Sequence, residues 1–215
     1  MSDERVFGDR LLEIIAVMML AITTLGTAWC GYQASQWAGI NSDGNQQQTN
    51  HQLEANRKFA LAIQTFSYDS NVIALYAQAV QENNTGLAQF YRNTMARKGL
   101  LPFLDKWEAT VRSGGTPTPL LEDPLYVDPQ SSGYRSEQAA AAKAAGAAQE
   151  AADTSQFYTL NTIVLAVALF FAGVTASFRY RPARVLLLVL ALLTVAFAAT
   201  RLADLPIAGS GTIGS

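Results

Sequence analysis

Hydrophobic and polar positions fall into long separate blocks along this chain. No Asp, Glu, Lys or Arg occurs in residues 14–42, 154–178 or 185–200. A helix rises 1.5 Å per residue, so about 20 apolar residues cross the hydrocarbon core of a membrane. The pattern predicts transmembrane helices at 11–32, 157–178 and 185–200. The third run is short, so its flanking arginines must reach towards the headgroups.

The positions of Lys and Arg predict the orientation of these helices, because cytoplasmic loops retain positive charge. Arg10 precedes the first helix, and the turn RYRPAR at 179–184 carries three arginines, whereas residues 31–56 carry no Lys or Arg. The amino terminus 1–10 and the turn 179–184 are therefore predicted to be cytoplasmic. Residues 33–156 and the tail 201–215 are then predicted to lie outside the cytoplasm.

A cleaved secretory signal is the alternative interpretation of the first apolar run, which lies near the amino terminus. The preceding segment MSDERVFGDR is as acidic as it is basic, and no clean Ala-x-Ala site follows the run. These features favour a membrane-spanning helix. Cys30 is the only cysteine, so no intrachain disulfide can form.

The region between the first two spans reads as helical. Residues 44–82 carry a heptad seam that ends at Asn83-Asn84-Thr85-Gly86, residues that tolerate the backbone of a helix stop. The seam residues are Phe59, Ile63, Phe66, Ser70, Ile73, Ala77 and Val80. Helices are also predicted at 87–98 and in the segment PFLDKWEATVR. The stretch 113–133 holds four of the seven prolines and is predicted to be an irregular loop.

An alanine-rich segment at 139–152 is predicted to continue as helix into the second span, because alanine is the strongest helix former. The predicted fold is therefore all-α. It has three transmembrane helices and an extracytoplasmic antiparallel helical bundle, continuous with the first two spans.

Small residues recur at four-residue intervals in both of the first two spans, a spacing typical of close contacts between membrane helices. The alanine-rich helix is also covered by methyl groups over most of its circumference, so it suits packing either within its own bundle or between subunits. The small faces predict a homo-oligomer. They consist of Thr23, Thr27 and Gly31 in the first span and of Ala168, Ala172 and Ala176 in the second.

Catalytic chemistry is scarce in this sequence. The single histidine, His51, precedes Glu54 by three residues, a pair that a symmetric oligomer could repeat around a metal. A solvated helix face is the simpler interpretation, because the surrounding segment is rich in Gln and Asn. No nucleophile elbow, Walker loop or zinc-protease motif is present, and the outer region is not basic enough for nucleic acid. We predict neither enzymatic activity nor a metal, a cofactor or a nucleic-acid partner.

The polar segment INSDGNQQQTNHQ at 40–52 has two interpretations. Carrying the heptad phase backward places Thr49, Gln52 and Asn56 at seam positions. They form either a hydrated stretch beside the membrane or a polar vestibule on an oligomer axis, leading towards the threonines of the first span. The second interpretation would suit an ion or solute pathway.

The segment TAWCGYQASQW at 27–37, with the long helix after it and the RYRPAR turn, resembles a family of uncharacterised bacterial three-pass membrane proteins with the pattern TAW-x-GYQA-x-x-W. The resemblance implies a bacterial inner membrane and no known activity. The rings of Trp29, Tyr32, Trp37 and Tyr180 are predicted to anchor the helices at headgroup depth.

The absence of catalytic groups and the abundance of helix-packing surface predict an oligomeric scaffold or interaction subunit of the cell envelope. Its partners would be the lipid bilayer, further copies of the chain and other envelope proteins. A small ion channel or transporter subunit is the alternative, because of the polar segment above the first span.

Overall fold

The computed structural model describes residues 2–175, 177–178 and 180–209, with side chains described from Arg10 onward. These residues form helices and connecting turns, with no strand among them. The helices are α1 (Ser2–Gln81), α2 (Thr85–Phe90), a π-helical turn (Tyr91–Met95), α3 (Leu101–Arg112), a 3-10 turn (Leu120–Glu122), α4 (Pro124–Thr175) and α5 (Arg181–Ala203). The predicted all-α class is confirmed.

Three of the described helices, α1, α4 and α5, are long and apolar enough to cross a membrane. The chain is therefore a multi-pass membrane protein in its architecture. The third helix is longer than the predicted run at 185–200, because it begins at Arg181 and contains 23 residues. At 1.5 Å per residue this gives about 35 Å, enough to span the hydrocarbon. Pro182 lies in its first turn, where a missing N–H leaves no hydrogen bond unmade.

Both long helices continue without a break, as the sequence predicts. α1 runs through the predicted boundary at residues 32 and 33 and ends at Gln81, where Asn83 has a φ of 54°. This left-handed conformation stops the helix and is tolerated by asparagine. The alanine-rich segment and the second span belong to the single helix α4.

Contacts divide the chain into two units, the first formed by Met1–Asn45 and Ala145–Ser215. Its α1 and α4 segments are antiparallel, and a Cβ on Gly26 would lie 3.2 Å from Leu165 Cδ1. α5 packs on both through two buried clusters, one of Met19, Ala172 and Ala191 and one of Cys30, Tyr158, Leu165 and Ala198. Leu12 lines one cavity with Arg181 and Pro182, so the start of α1 and the turn before α5 lie at the same end of this unit.

Gly44 marks a close approach of α1 and α4 within the same unit. A Cβ at this position would lie 2.9 Å from the Cβ and 3.1 Å from the Cα of Ala148. Glycine inside a helix normally destabilises it by about 0.5–1 kcal/mol relative to alanine. Here the missing side chain is required, because the facing atoms are the backbone of Ala148 and the Cβ fixed to it, which cannot move aside without the helix.

The second unit is Gln46–Ala144. Its hydrophobic core joins the last turns of α1 to α2, to α3 and to the start of α4. The buried members are Val72, Tyr76, Ala79, Ala88, Leu100, Phe103, Leu104 and Tyr126. α1 and α4 are antiparallel here too, since the ring of Phe59 packs edge-on against Tyr134 at 5.4 Å between centroids.

The predicted heptad seam is wrong by one residue. Within residues 59–80 of α1, the most deeply buried line is Asp69, Val72, Tyr76 and Ala79, each at most 5% exposed, whereas Phe59 and Ile63 are about half exposed. Phe66, Ile73 and Val80 flank this line and are partly buried against the core. The hydrophobic pattern missed the true centre because that centre carries a carboxylate and a phenol, both satisfied by other elements.

The irregular loop predicted at 113–133 is also wrong over its second half. α4 begins at Pro124, although Pro129 lies inside it. The Asp123 carboxylate accepts from the backbone N–H of Leu125 at 3.0 Å, which satisfies one free donor of the first turn. Pro124 lies where its missing N–H has no intrahelical partner, so the capped start tolerates a sequence that reads as loop.

The predicted helix at 87–98 begins two residues earlier and ends as a π-helical turn. Asn84 caps α2, its side chain accepting from the N–H of Leu87 at 3.1 Å. Leu87, Tyr91 and Met95 pack against the core and Ala88 is buried in it, whereas Phe90 is half exposed.

Candidate functional site

A cluster of ionisable and aromatic side chains lies where α2, the π-helical turn and α3 meet the end of α1. Arg92 is in the π-helical turn Tyr91–Met95, a geometry that is rare and frequently found at functional sites. Its Nη1 donates to Glu108 Oε1 at 2.7 Å, and its Nη2 donates to Asp105. One arginine therefore joins two carboxylates of α3.

Tyr76 completes this cluster from α1. Its hydroxyl donates to the Glu108 carboxylate, and its ring packs edge-on against Trp107 at 5.9 Å between centroids. Burial, and then the hydrogen bond to Glu108, raise the pKa of Tyr76 to about 12. The hydrogen bond to Asp105 raises the pKa of Arg92 above its ordinary value. Strongly perturbed groups beside a cleft indicate a candidate functional site.

The cluster lines an open cleft of about 570 Å³, which we call the Trp107 cleft. Its lining residues are Tyr76, Val80, Thr85, Ala88, Gln89, Arg92, Trp107, Glu108, Val111 and Arg112. The volume is within the range of about 300–1,000 Å³ that ligand sites occupy. The lining carries the guanidinium groups of Arg92 and Arg112 and the carboxylate of Glu108, and Asp105, which pairs with Arg92, balances the second cation.

Arg112 is the adaptable cation of the Trp107 cleft. Its side chain is 78% exposed, and its Nη2 lies 3.7 Å from Glu108 Oε2, too far for a good hydrogen bond. An incoming carboxylate could therefore engage Arg112 without breaking a tight pair. Trp, Tyr and Arg are the residues that dominate binding energy at protein interfaces.

Two buried carboxylates join different elements of the second unit. Asp69 is fully buried and accepts from Arg97 Nε at 3.0 Å, from Arg97 Nη2 at 2.5 Å and from the Tyr126 hydroxyl at 2.8 Å. Asp123 is also buried and accepts from Lys106 Nζ at 2.6 Å. That hydrogen bond, together with the one from the Leu125 N–H, lowers the pKa of Asp123 below its ordinary value.

An apolar pocket of about 230 Å³ lies between α1 and α4 in the same unit. Phe59, Phe66 and Tyr134 provide aromatic walls, and Gln130 and Ser131 are its polar lining. The pocket is smaller than a typical site for a small molecule and is the size of one or two side chains.

A metal site built on His51 and Glu54 would require these two side chains to lie together, but each pairs with a different residue. His51 Nδ1 lies 2.7 Å from Glu137 Oε2, and Lys58 Nζ donates to the other oxygen of Glu137 at 2.7 Å. Glu54 instead accepts from Arg57 at 3.1 Å. Among the described residues, no group of three or more His, Cys, Asp and Glu side chains is arranged to hold a metal.

The predicted aromatic anchors divide into two kinds. Trp29, Tyr32 and Tyr180 are 48%, 55% and 70% exposed, as side chains facing lipid headgroups would be. Trp37 is half-buried instead, and its Nε1 donates to the carbonyl of Pro206 at 3.1 Å.

The GYQA segment of the motif binds the tail that follows α5. The Tyr158 hydroxyl donates to Pro206 O at 3.1 Å, alongside Trp37, and Gln33 Oε1 accepts from the N–H of Ala208 at 2.9 Å. Gln33 is fully buried, and its amide oxygen holds the tail through this hydrogen bond. Sequence analysis missed this role because the two partners are 175 residues apart.

Three of the six small residues predicted to join subunits are buried inside the protein instead. Thr23, Ala168 and Ala172 are fully buried, and Thr27 donates to the carbonyl of Thr23 within its own helix at 2.7 Å. Gly31 is exposed, with open space on the side where a Cβ would lie. Ala176 lies outside the described residues.

The predicted polar pathway residues Thr49, Gln52 and Asn56 are all exposed. Gln52 and Asn56 line a groove of about 360 Å³ with Gln138, above a floor that includes Ala55 and Ala141. The buried line of α1 is displaced by one residue from the predicted seam, so these residues lie at the edge of the contact with α4 and not at its centre.

Comparisons with known proteins add no relative to this description: no protein-family model, curated protein or solved structure matches the chain. The resemblance carried by TAWCGYQASQW stays a prediction.

Proposed function

We propose that this protein is a non-enzymatic interaction subunit of the bacterial inner membrane, which presents its second unit to other envelope proteins. The observation that carries the proposal is the Trp107 cleft, where Trp107 and Tyr76 lie beside Arg92 and the exposed Arg112. This is the residue composition of an interface hot spot.

The orientation is part of the proposal. Arg10 and the arginines of the turn before α5 favour a cytoplasmic location for those segments. The shared cavity of Leu12 and Pro182 supports this, because it brings both basic segments to one end of the first unit. Three crossings then leave residues 33–156, and with them the Trp107 cleft, outside the cytoplasm.

The partner is a protein segment that carries a carboxylate next to an apolar side chain. A carboxylate would pair with Arg112, since an arginine fork recognises carboxylates in bidentate fashion. The apolar side chain would cover Trp107 and Val111, the latter 39% exposed. Glu108 holds Arg92 in place and disfavours a second acidic group, which gives the site selectivity.

Photocrosslinking in intact cells tests this function. A photoreactive amino acid replaces Gln89, an exposed residue of the Trp107 cleft, and the matched control replaces Arg57, whose side chain is 71% exposed outside it. We expect a discrete adduct with one envelope protein from position 89 and none from position 57. Arg112→Glu should abolish that adduct, because it places a second carboxylate in the cleft. Adducts that persist in the Arg112→Glu variant would refute the proposal.

We also propose that the protein self-associates through the groove of Gln52, Asn56 and Gln138. Symmetric copies place identical residues near one another, so an uncharged amide rim over alanines avoids like-charge repulsion. The mass of the detergent-solubilised protein, corrected for detergent, tests this. A discrete oligomer that dissociates in Ala141→Glu supports self-association, and a monomeric wild-type protein contradicts it.

A small ion channel or transporter subunit is the second proposal, favoured by the exposed amides of Gln52 and Asn56. The threonine hydroxyls of the first span are less suited to line a pathway, because Thr23 and Thr27 donate to carbonyls of their own helix. Ion flux through liposomes that contain the purified protein tests this proposal. Absence of flux for every ion and potential applied would exclude it.

A further inference from the structure

A second candidate site lies in the first unit, between residues 157–164 inside α4 and the carboxyl end of α5, away from the turn that joins the two helices. It is a groove of about 170 Å³ with apolar walls formed by Leu160 and Val164 of α4 and Phe197 of α5. Leu160 and Phe197 are 56% and 54% exposed, so the groove opens sideways from the helices. In a membrane, that opening faces lipid.

The groove ends in polar groups, although its walls are apolar. Asn161, Arg201 and Asp204 complete the lining there. Asn161 is 6% exposed, and its Nδ2 donates to the carbonyl of Phe157 at 3.1 Å. An amide nitrogen carries two hydrogens, so the second N–H is left for an acceptor in the groove.

One cation and one anion line this end of the groove. The Arg201 guanidinium carbon lies 5.7 Å from the centroid of the Phe197 ring, which orients the cation over an aromatic face. Asp204 follows directly after α5 and is exposed. Among the described residues, neither of these two side chains forms an ion pair.

We propose that this groove binds one phospholipid with a primary ammonium headgroup, a phosphatidylethanolamine. The phosphate pairs with Arg201, the ammonium donates to Asp204, and an acyl chain lies along Leu160, Val164 and Phe197. The charge pattern selects this lipid. A phosphatidylglycerol brings no cation to Asp204, and the quaternary ammonium of a phosphatidylcholine has no N–H to donate.

Native mass spectrometry of the full-length protein in detergent tests the proposal, with the three lipids added singly and with matched acyl chains. We expect the affinity for phosphatidylethanolamine to be at least about threefold higher than the affinity for either of the other two lipids, in line with one exposed charge pair. Asp204→Asn should bring phosphatidylethanolamine to the level of phosphatidylcholine. Arg201→Gln should weaken all three, because each carries a phosphate.

Arg10→Gln is the matched control, since it removes a cation from the opposite end of the spanning helices. It should leave the lipid preference unchanged. Soluble phosphoethanolamine should not compete, because it lacks the acyl chain that fills the apolar walls. Equal binding of the three lipids, or a preference that survives Asp204→Asn in a protein that elutes as the wild type does, would overturn the proposal.

Discussion

Removal of the Arg97 guanidinium should open the second unit, because it leaves the Asp69 carboxylate charged and buried. Asp69 is fully buried and has two hydrogen bonds from Arg97 and one from Tyr126. Breaking a buried pair by deleting one partner costs about 3–5 kcal/mol. Arg97 is 38% exposed, so solvent reaches part of the pair and we take the lower end of that range. Arg97→Gln should therefore destabilise the unit by about 3 kcal/mol.

Hydrogen exchange of the full-length protein in detergent measures this effect. The exchange is followed by mass spectrometry of peptides from residues 66–80. Each 1.4 kcal/mol changes the opening equilibrium about tenfold, so Arg97→Gln should accelerate exchange about 100-fold. Tyr126→Phe deletes one hydrogen bond to a charged group, worth about 1.5–3 kcal/mol, and should accelerate exchange between about tenfold and 100-fold.

Two controls separate buried charge from general damage. Arg57 is 71% exposed and pairs with Glu54 at the surface, so Arg57→Gln should change the stability by about 1 kcal/mol or less. The double variant Arg97→Gln with Asp69→Asn should recover part of the loss, because no charge remains buried. If Arg97→Gln exchanges no faster than Arg57→Gln, the reasoning about Asp69 is refuted.

Three further predictions follow from other contacts. The lowered pKa of Asp123 means that its stabilising contribution is complete above the unfolded pKa of about 3.9 and is lost as the pH falls through the lower folded value. Between pH 5 and pH 2, the temperature of thermal unfolding should therefore fall less steeply in Asp123→Asn than in the wild-type protein. Gly44→Ala forces a Cβ to 2.9 Å from that of Ala148 and should destabilise the protein by about 1–3 kcal/mol, whereas Gly39→Ala, where nothing lies within 4 Å, should be neutral or stabilising in the same thermal assay. Trp37→Phe deletes the donor to the tail carbonyl and should cost about 1 kcal/mol, seen as faster hydrogen exchange in residues 204–209; unchanged exchange there would show that the tail is held by other contacts.

Much of this architecture follows from the sequence, because hydrophobic blocks and helix stops are local signals. The charge-free runs place the three apolar helices, and Asn83 marks the end of α1 because asparagine tolerates a positive φ. The union of the alanine-rich segment with the second span also follows from local propensity. Each of these features depends on residues near one another in the chain.

The remaining features depend on partners distant in sequence. Asp69 lies at the centre of a buried face because Arg97 and Tyr126 satisfy its carboxylate, a compensation that a hydrophobic pattern cannot reveal. The start of α4 depends on Asp123, which itself depends on Lys106. The hydrogen bond from Ala208 to Gln33, which holds the tail, also joins partners distant in sequence.

The Trp107 cleft was likewise missed by sequence analysis. Its members come from four elements, and only the sequence DKWE in α3, a tryptophan flanked by charges, could have pointed to it. Arg92 reaches Glu108 from a π-helical turn. That geometry has no signature in the residues themselves.

The proposal of an interaction subunit of the envelope is tested most directly by determining which side of the membrane holds the second unit. Single cysteines at Gln89 and at Ser177, in the turn before α5, can be labelled with a membrane-impermeant maleimide, because the native Cys30 is fully buried. In spheroplasts, we expect label at Gln89→Cys, label at Ser177→Cys only after lysis, and none on the wild-type protein. Label at Ser177→Cys in intact spheroplasts, with Gln89→Cys protected until lysis, would place the Trp107 cleft in the cytoplasm and contradict the proposed function.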